Sequence, residues 1–161
     1  LRARPVCKVI RKDLERDAGF AWDVFDRAPY AILALADEHG APYCIPVSPA
    51  REGSTVYIHC AGIGQKLDCL RANPHVAMTA VCACRPVSAE YTMSYASMAL
   101  QGKAVLVEKE EEKNLALRRI SEKYAAADLD KFETVMEHYA GAARVIRIDV
   151  ERITGKEACN D

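Results

Sequence analysis

Hydrophobic positions along the chain fall into short blocks. Leu14, Ala18, Ala21, Trp22 and Phe25 recur at helical spacing, and Asp13 stands where it would cap a helix running to about Ala28. Tyr30–Ala36 (YAILALA) is an unbroken apolar run of strand length, closed by the turn-forming Asp-Glu-His-Gly of residues 37–40. Ala41–Ser48 predicts a second strand whose prolines, at 42 and 46, cannot donate to a ladder and demand an open edge. The turn at Ala50–Gly53 leads to a third strand, Thr55–Cys60. A short helix, Gln65–Ala72, stops at Asn73-Pro74. His75–Cys84 is a fourth strand, with Cys82 and Cys84 expected on one face. Thr92–Val107 reads as a long fifth strand, bulged or bent at Gly102. Glu110–Tyr124 is helical: glutamates fill its first turn, Arg118, Arg119 and Lys123 lie toward its end, and Leu117, Ile120 and Tyr124 form its apolar stripe. A further short helix spans about Leu129–Tyr139. The last strand, Arg144–Ile153, alternates Ile146, Ile148 and Val150 against Arg147, Asp149 and Glu151.

Strands joined by hairpins, with helices only at corners and ends, exclude a βαβ rhythm and a parallel sheet. The expected fold is mainly β with peripheral helices: a six-stranded antiparallel barrel, closed so that no edge is exposed. A length of 161 residues, half of them hydrophobic, gives one domain over 1–161, with 1–12 as an extended arm. The formal net charge of −1 carries no field for nucleic acid or an acidic membrane surface. No apolar run nears the roughly 18 residues of a membrane span, and LRARPVCKVIRKDLERD at the N-terminus has no secretory h-region. The seven cysteines lie mostly in apolar segments without a CxxC, which reads as reduced thiols in a cytoplasmic protein. His39, His59, His75 and His138 show no metal-ligand spacing, and there is no GxSxG.

The informative stretch is Tyr57–Leu70, YIHCAGIGQKLDCL: a strand, a loop of small residues, then Lys66 at a helix entry. A helix N-terminus offers unpaired N–H groups, glycines let the backbone approach a ligand, and a lysine adds full charge, so a phosphate is the natural occupant. It is not a P-loop, which needs GxxxxGK[ST]. A flexible turn with a solvated lysine is the alternative. His59 shares a strand face with Tyr57 and Thr55 and stands beside this corner. Tyr95 and Ser97 place hydroxyls on one face of an otherwise apolar strand.

Taken in order, these pieces resemble the FMN-binding split-barrel family, the superfamily of pyridoxamine 5′-phosphate oxidase, most closely its nitroimidazole-reductase branch. The motifs that carry the resemblance run from Gly40-Ala-Pro-Tyr-Cys-Ile-Pro46 through His59, Gly64-Gln-Lys66, Asn73-Pro-His-Val76 and Tyr95-Ala-Ser97 to Ile153-Thr-Gly-Lys156. The resemblance implies a homodimer with FMN at the subunit interface. It gives the phosphate to Lys66 and the 61–66 corner, including Ala61, Gly64 and Gln65; Gln65 stands where relatives often carry an arginine. It lays the isoalloxazine ring along Pro46, Val47 and Ser48, sets His59 beside it, and brings Tyr95 and Ser97 toward the cofactor near the partner subunit. The segment that pyridoxamine-phosphate oxidases use to hold their substrate is absent, which argues against that reaction. The implied activity is a reductase of a small electron-poor compound, such as a nitroimidazole or nitroaromatic, fed by NAD(P)H or a redox protein. His59 is the tentative proton donor. The alternatives are a non-catalytic FMN-binding or storage protein, and a haem-binding protein on the same barrel.

Overall fold

The computed structural model of the protein describes residues 10–139 and 141–159, so Cys7 and most of the expected arm lie outside the described residues. Asp17, rather than Asp13, caps the first helix. Its carboxylate accepts from the Phe20 N–H at 2.8 Å, and α1 runs over Ala18–Arg27. The residues ahead of it take another role: Glu15–Arg16 form β1, paired antiparallel with Lys156 and Gly155. Gly155 makes this possible, because a Cβ there would stand 2.7 Å from the Phe20 ring.

The remaining strands are β2 (Ala31–Ala36), β3 (Pro42–Val47), β4 (Ala50–Glu52), β5 (Thr55–Cys60), β6 (His75–Val87), β7 (Thr92–Leu106) and β8 (Arg144–Ala158). The helices are α2 (Gln65–Ala72), α3 (Glu110–Tyr124) and α4 (Phe132–Tyr139). The ladder order is β3-β2-β6-β7-β8-β5-β4, with β1 also on β8. This sheet has eight strands where six were expected. The additional β1 and β4 are two and three residues long, too short to leave a period in the sequence. Nor does the ladder close, since β3 and β4 are its two ends. Strands from both ends nevertheless feed one core. Leu33 and Val47 enter it from one side, Val56 and Ile58 from the other, with Met78, Leu100, Ile148 and Phe25 of α1 between them. The sheet is curled around that core as a split barrel. A smaller cluster of Tyr57, Leu117, Phe132 and Val145 seats α3 and α4 on the outside of β5 and β8. The last predicted helix begins later than expected: 126–131 form a 3₁₀ turn, and α4 starts at Phe132.

Two bulges reset the alternation that the sequence displays. In β8, Gln101 pairs with Arg152 but Gly102 with Val150, which leaves Glu151 as an extra residue. Beyond it the inward set changes from Ile146, Ile148 and Val150 to Ile153, so the strand runs five residues past its predicted end at Ile153, to Ala158. In β6 the register shifts between Cys82 and Arg85, where Ala83 takes φ +52°, and the strand continues to Val87. Cys82 therefore packs on the core while Cys84 is exposed; the two do not share a face.

The β8 bulge depends on a bare Cα opposite it. A Cβ on Gly102 would lie 2.3 Å from the Asp149 carbonyl oxygen, a ladder atom that cannot step aside cheaply. Gly102→Ala is expected to cost about 1–3 kcal/mol of stability. Gly141→Ala, with nothing within 4 Å of the new methyl, leaves stability unchanged. Urea denaturation of both variants checks this; equal midpoints would refute the close approach.

Candidate functional site

The strand-to-helix corner forms where the sequence places it. β5 ends at Cys60, residues 61–64 form an exposed loop, and α2 starts at Gln65. Gly64 is the N-cap at φ +132°, a conformation that suits glycine, and no side chain caps the helix. The first N–H groups of α2 are thus left for solvent or a ligand. Lys66, in the first turn, is half-buried, whereas Ala61, Gly64 and Gln65 are exposed. Cys60 pairs across the ladder with Arg144, and the Cys60 thiol feels both Lys66 and Arg144. Burial raises its pKa, and the two cations partly oppose that rise. Arg144 also flanks the loop: a Cβ on Gly62 would be 3.9 Å from its Cγ. His59 is exposed on the other face of β5, shared with Tyr57 and opposite Val145.

The split lies next to this corner. β3 ends the sheet with one edge unpaired, and β4 pairs only with Thr55–Tyr57, so the same edge of β5 is free from 58 to 60. The last pair of the β4–β5 ladder is Ala50 with Tyr57, so Ser48 and Pro49 come just before it in the chain. The crossover between β3 and β4 therefore passes the open part of β5. Along it Pro46 is exposed, Val47 buried and Ser48 half-buried. Its far end is clamped from α3: Lys123 Nζ donates to the carbonyls of Phe25 at 2.8 Å and Pro49 at 3.2 Å, and Tyr124 Oη donates to Pro49 O at 3.0 Å.

Tyr95 and Ser97 lie elsewhere, on the outer face of β7. Ser97 Oγ donates to Lys156 O at 3.3 Å, and Lys156 Nζ sits 5.5 Å from the Tyr95 ring centroid. Two strands, β2 and β6, separate β7 from β3, so β7 lies about 14 Å from β3 across the sheet, and Ser97 and Tyr95 sit two and four residues along it from Ala99, the residue in line with Pro46. One chain does not bring them together. Between them the outer face carries a depression of about 390 Å³, lined chiefly by Ile32, Ala34, Cys44, Ala77, Thr79 and Ala99, with Gln101 and Arg152 at its rim. Among the described residues no group of His, Cys, Asp or Glu is placed to hold a metal ion, and no helix is long and apolar enough to cross a membrane.

Residues 17–157 match the pyridoxamine 5′-phosphate oxidase family. The chain belongs to that family. Solved structures with the same fold include a candidate 5-nitroimidazole antibiotic resistance protein from Bacteroides thetaiotaomicron. It is 24% identical, with a TM-score of 0.71 over 89% of this chain and 85% of that one. The conserved hypothetical protein Rv2991 from Mycobacterium tuberculosis is 17% identical, with a TM-score of 0.77 over 93% and 90%. The flavocytochrome Anf3 from Azotobacter vinelandii is 19% identical, with a TM-score of 0.74 over 95% and 73%. No curated protein matches the chain.

As a member of this family the chain has a flavin-binding split-barrel fold, and two residues that sequence reasoning missed stand at its opening. Arg144 read only as a strand start and Lys123 only as a helix-end charge. Each meets the split through a contact distant in sequence, which no local pattern announces.

Lys123 has a measurable signature. Burial, against the opposing pull of Asp26 and with a smaller push from Arg51, brings its pKa down from 10.5 to about 8. Below pH 8 it is protonated folded and unfolded alike, so its contribution is constant. Between pH 8 and 10.5 the unfolded chain holds the extra proton, so this group's contribution to stability rises with pH. The Tm of wild type minus that of Lys123→Met should therefore rise from pH 8 to about pH 10. A difference that stays flat over that window would remove the buried cation from the clamp.

Proposed function

We propose that the protein is an FMN-dependent reductase that passes electrons to a small electron-poor compound, with nitroimidazoles and other nitroaromatics as the substrate class. The observation that carries this reading is the meeting, at one open seam, of a glycine loop, an uncapped helix start, a half-buried lysine and two unpaired strand edges. That donor set fits FMN: the Lys66 ammonium and loop N–H groups suit a phosphate dianion, and the unpaired backbone at Pro46–Ser48 suits the polar rim of a flat ring. Bound flavin supplies the hydride or electron chemistry. The chain's own residues do the rest. Lys66, Ala61, Gly64 and Gln65 hold the tail; Pro46, Val47 and Ser48 orient the ring; His59, exposed on the unpaired end of β5, delivers a proton to the reduced product. Electrons come from NAD(P)H or a redox protein, in a cytoplasmic setting that suits the six free cysteines among the described residues.

A homodimer completes the reading. The apolar depression on the outer face suits a second copy, whose own β7 would carry Tyr95 and Ser97 toward the seam of its neighbour. This predicts a solution mass near twice 17.8 kDa. Val81→Asp, at a side chain 47% exposed on that face, should give monomers in light scattering. A monomeric wild type would overturn the dimer.

The cofactor is tested by adding FMN, desalting and recording the spectrum. About one retained flavin per chain is expected. Lys66→Ala should weaken FMN binding about tenfold or more. His59→Ala should retain FMN and lose turnover of a nitroimidazole. Flavin retained without turnover by any donor would point to a flavin-storage protein; a colourless protein that takes up no FMN would sink the reading.

A further inference from the structure

Most described arginines end on a carboxylate. Arg16 meets Glu157, Arg27 meets Asp23, Arg51 meets Asp26, Arg119 meets Glu52 and Arg147 meets Glu112. Arg144, like Arg152, has no such partner among the described residues, but only Arg144 stands at the 61–64 loop. Its Nη1 donates only to the backbone oxygens of Gly141 and Ala143, each at 3.3 Å, and no carboxylate among the described residues pairs with it. Lys66 likewise forms no ion pair among the described residues. Both flank the same short loop. Arg144 stands directly across the ladder from Cys60, the residue that opens the loop, and its stem runs beside Gly62. Lys66 follows the loop in the first turn of α2. Both lie close enough to the Cys60 thiol to draw its pKa down against burial, so the two positive charges converge there. Unneutralised like charges around one exposed loop repel unless an anion joins them. Gln65, between the loop and Lys66, is neutral and exposed and adds nothing to the count.

We infer that Arg144 is a second cation of the flavin-phosphate corner, binding the phosphate together with Lys66. The inference rests on the FMN reading above. The two roles differ in kind. Lys66 supplies a compact point charge at the helix start, whereas the planar guanidinium of Arg144 presents paired donors to two phosphate oxygens. The long contacts to Gly141 and Ala143 are the ones it exchanges for that anion. Because Arg144 is the first residue of β8, its placement is set by the β5–β8 ladder and not by the loop. The loop can then adjust to the ligand while the guanidinium's base stays fixed.

The test compares FMN with riboflavin, which lacks only the phosphate, by titrating flavin fluorescence on wild type and Arg144→Gln at low ionic strength. Wild type should prefer FMN. The variant should lose about tenfold or more in FMN affinity while its riboflavin affinity is unchanged. Arg144→Ala takes its place if the glutamine variant does not fold. A variant that keeps the wild-type ratio of FMN to riboflavin affinity overturns the assignment of Arg144 and leaves the FMN reading intact. A wild type that binds neither flavin, or binds both equally, overturns the phosphate corner itself, and the assignment falls with it.

Discussion

The sheet depends on one backbone contact, the passage of the Asp149 carbonyl across the bare Cα of Gly102. It allows Glu151 to be looped out as a bulge, and the bulge divides β8 into halves with different partners. Before it, residues 144–149 pair with β5 on one edge; after it, Gly155 and Lys156 pair with β1 on that edge. β7 lies along the other edge throughout. A straight β8 would send Ile153 outward and could not serve the core with both halves. The bend lets a single strand reach from the mouth of the loop, at Arg144, to the outer face, at Ala158 opposite Tyr95. The geometry of the candidate site is thus set by the register of a strand that contributes one residue to it.

The split needs a second restraint. β3 and β4 are consecutive in the chain but stand at the two ends of the ladder, so the short crossover between them spans the gap. Pro49 fills that crossover with a fully buried ring, and its carbonyl accepts from both Lys123 and Tyr124. Burying an ammonium is expensive, as the depressed pKa of Lys123 records. Two carbonyl acceptors and the face of Phe25, 4.6 Å from Nζ, offset part of that cost. The arrangement ties α1, α3 and the crossover together at one cation. It fixes the crossover at Pro49, directly after residues 46–48.

What the sequence discloses follows how local each determinant is. β5, α2 and α3 have the predicted bounds, because each carries its own start, stop and period. The loop-and-lysine corner is legible for the same reason, being one run of adjacent residues. The bulges at Ala83 and Glu151 are not, since a period-2 count carries on through an inserted residue without registering it. β1 and β4 exist only as partners of longer strands. Asp13 and Asp17 are both competent caps, and the pairing of Glu15 and Arg16 with β8 decides between them. Arg144 and Lys123 take their meaning from residues 74 or more positions away, Cys60 in one case and Pro49 with Phe25 in the other. A sequence read in windows has no access to such pairs.

The open seam also has to avoid becoming a template for other strands. A free edge with alternating N–H and C=O groups recruits further β-structure, and β3 has one along its whole length. Its prolines answer this. Pro42 and Pro46 have the same parity, and the ladder to β2 is continuous from Pro42 to Val47, so the missing donors belong to the free edge. Within β3 that edge keeps the carbonyls of Pro42, Cys44 and Pro46 but only the N–H of Cys44. An incoming strand needs donors and acceptors in alternation and finds too few donors here. A small planar ligand needs only one or two well-placed polar atoms, which the edge retains. The prolines that marked this strand as an edge in the sequence thus also disfavour another β-strand there, while leaving a few polar atoms of the edge free.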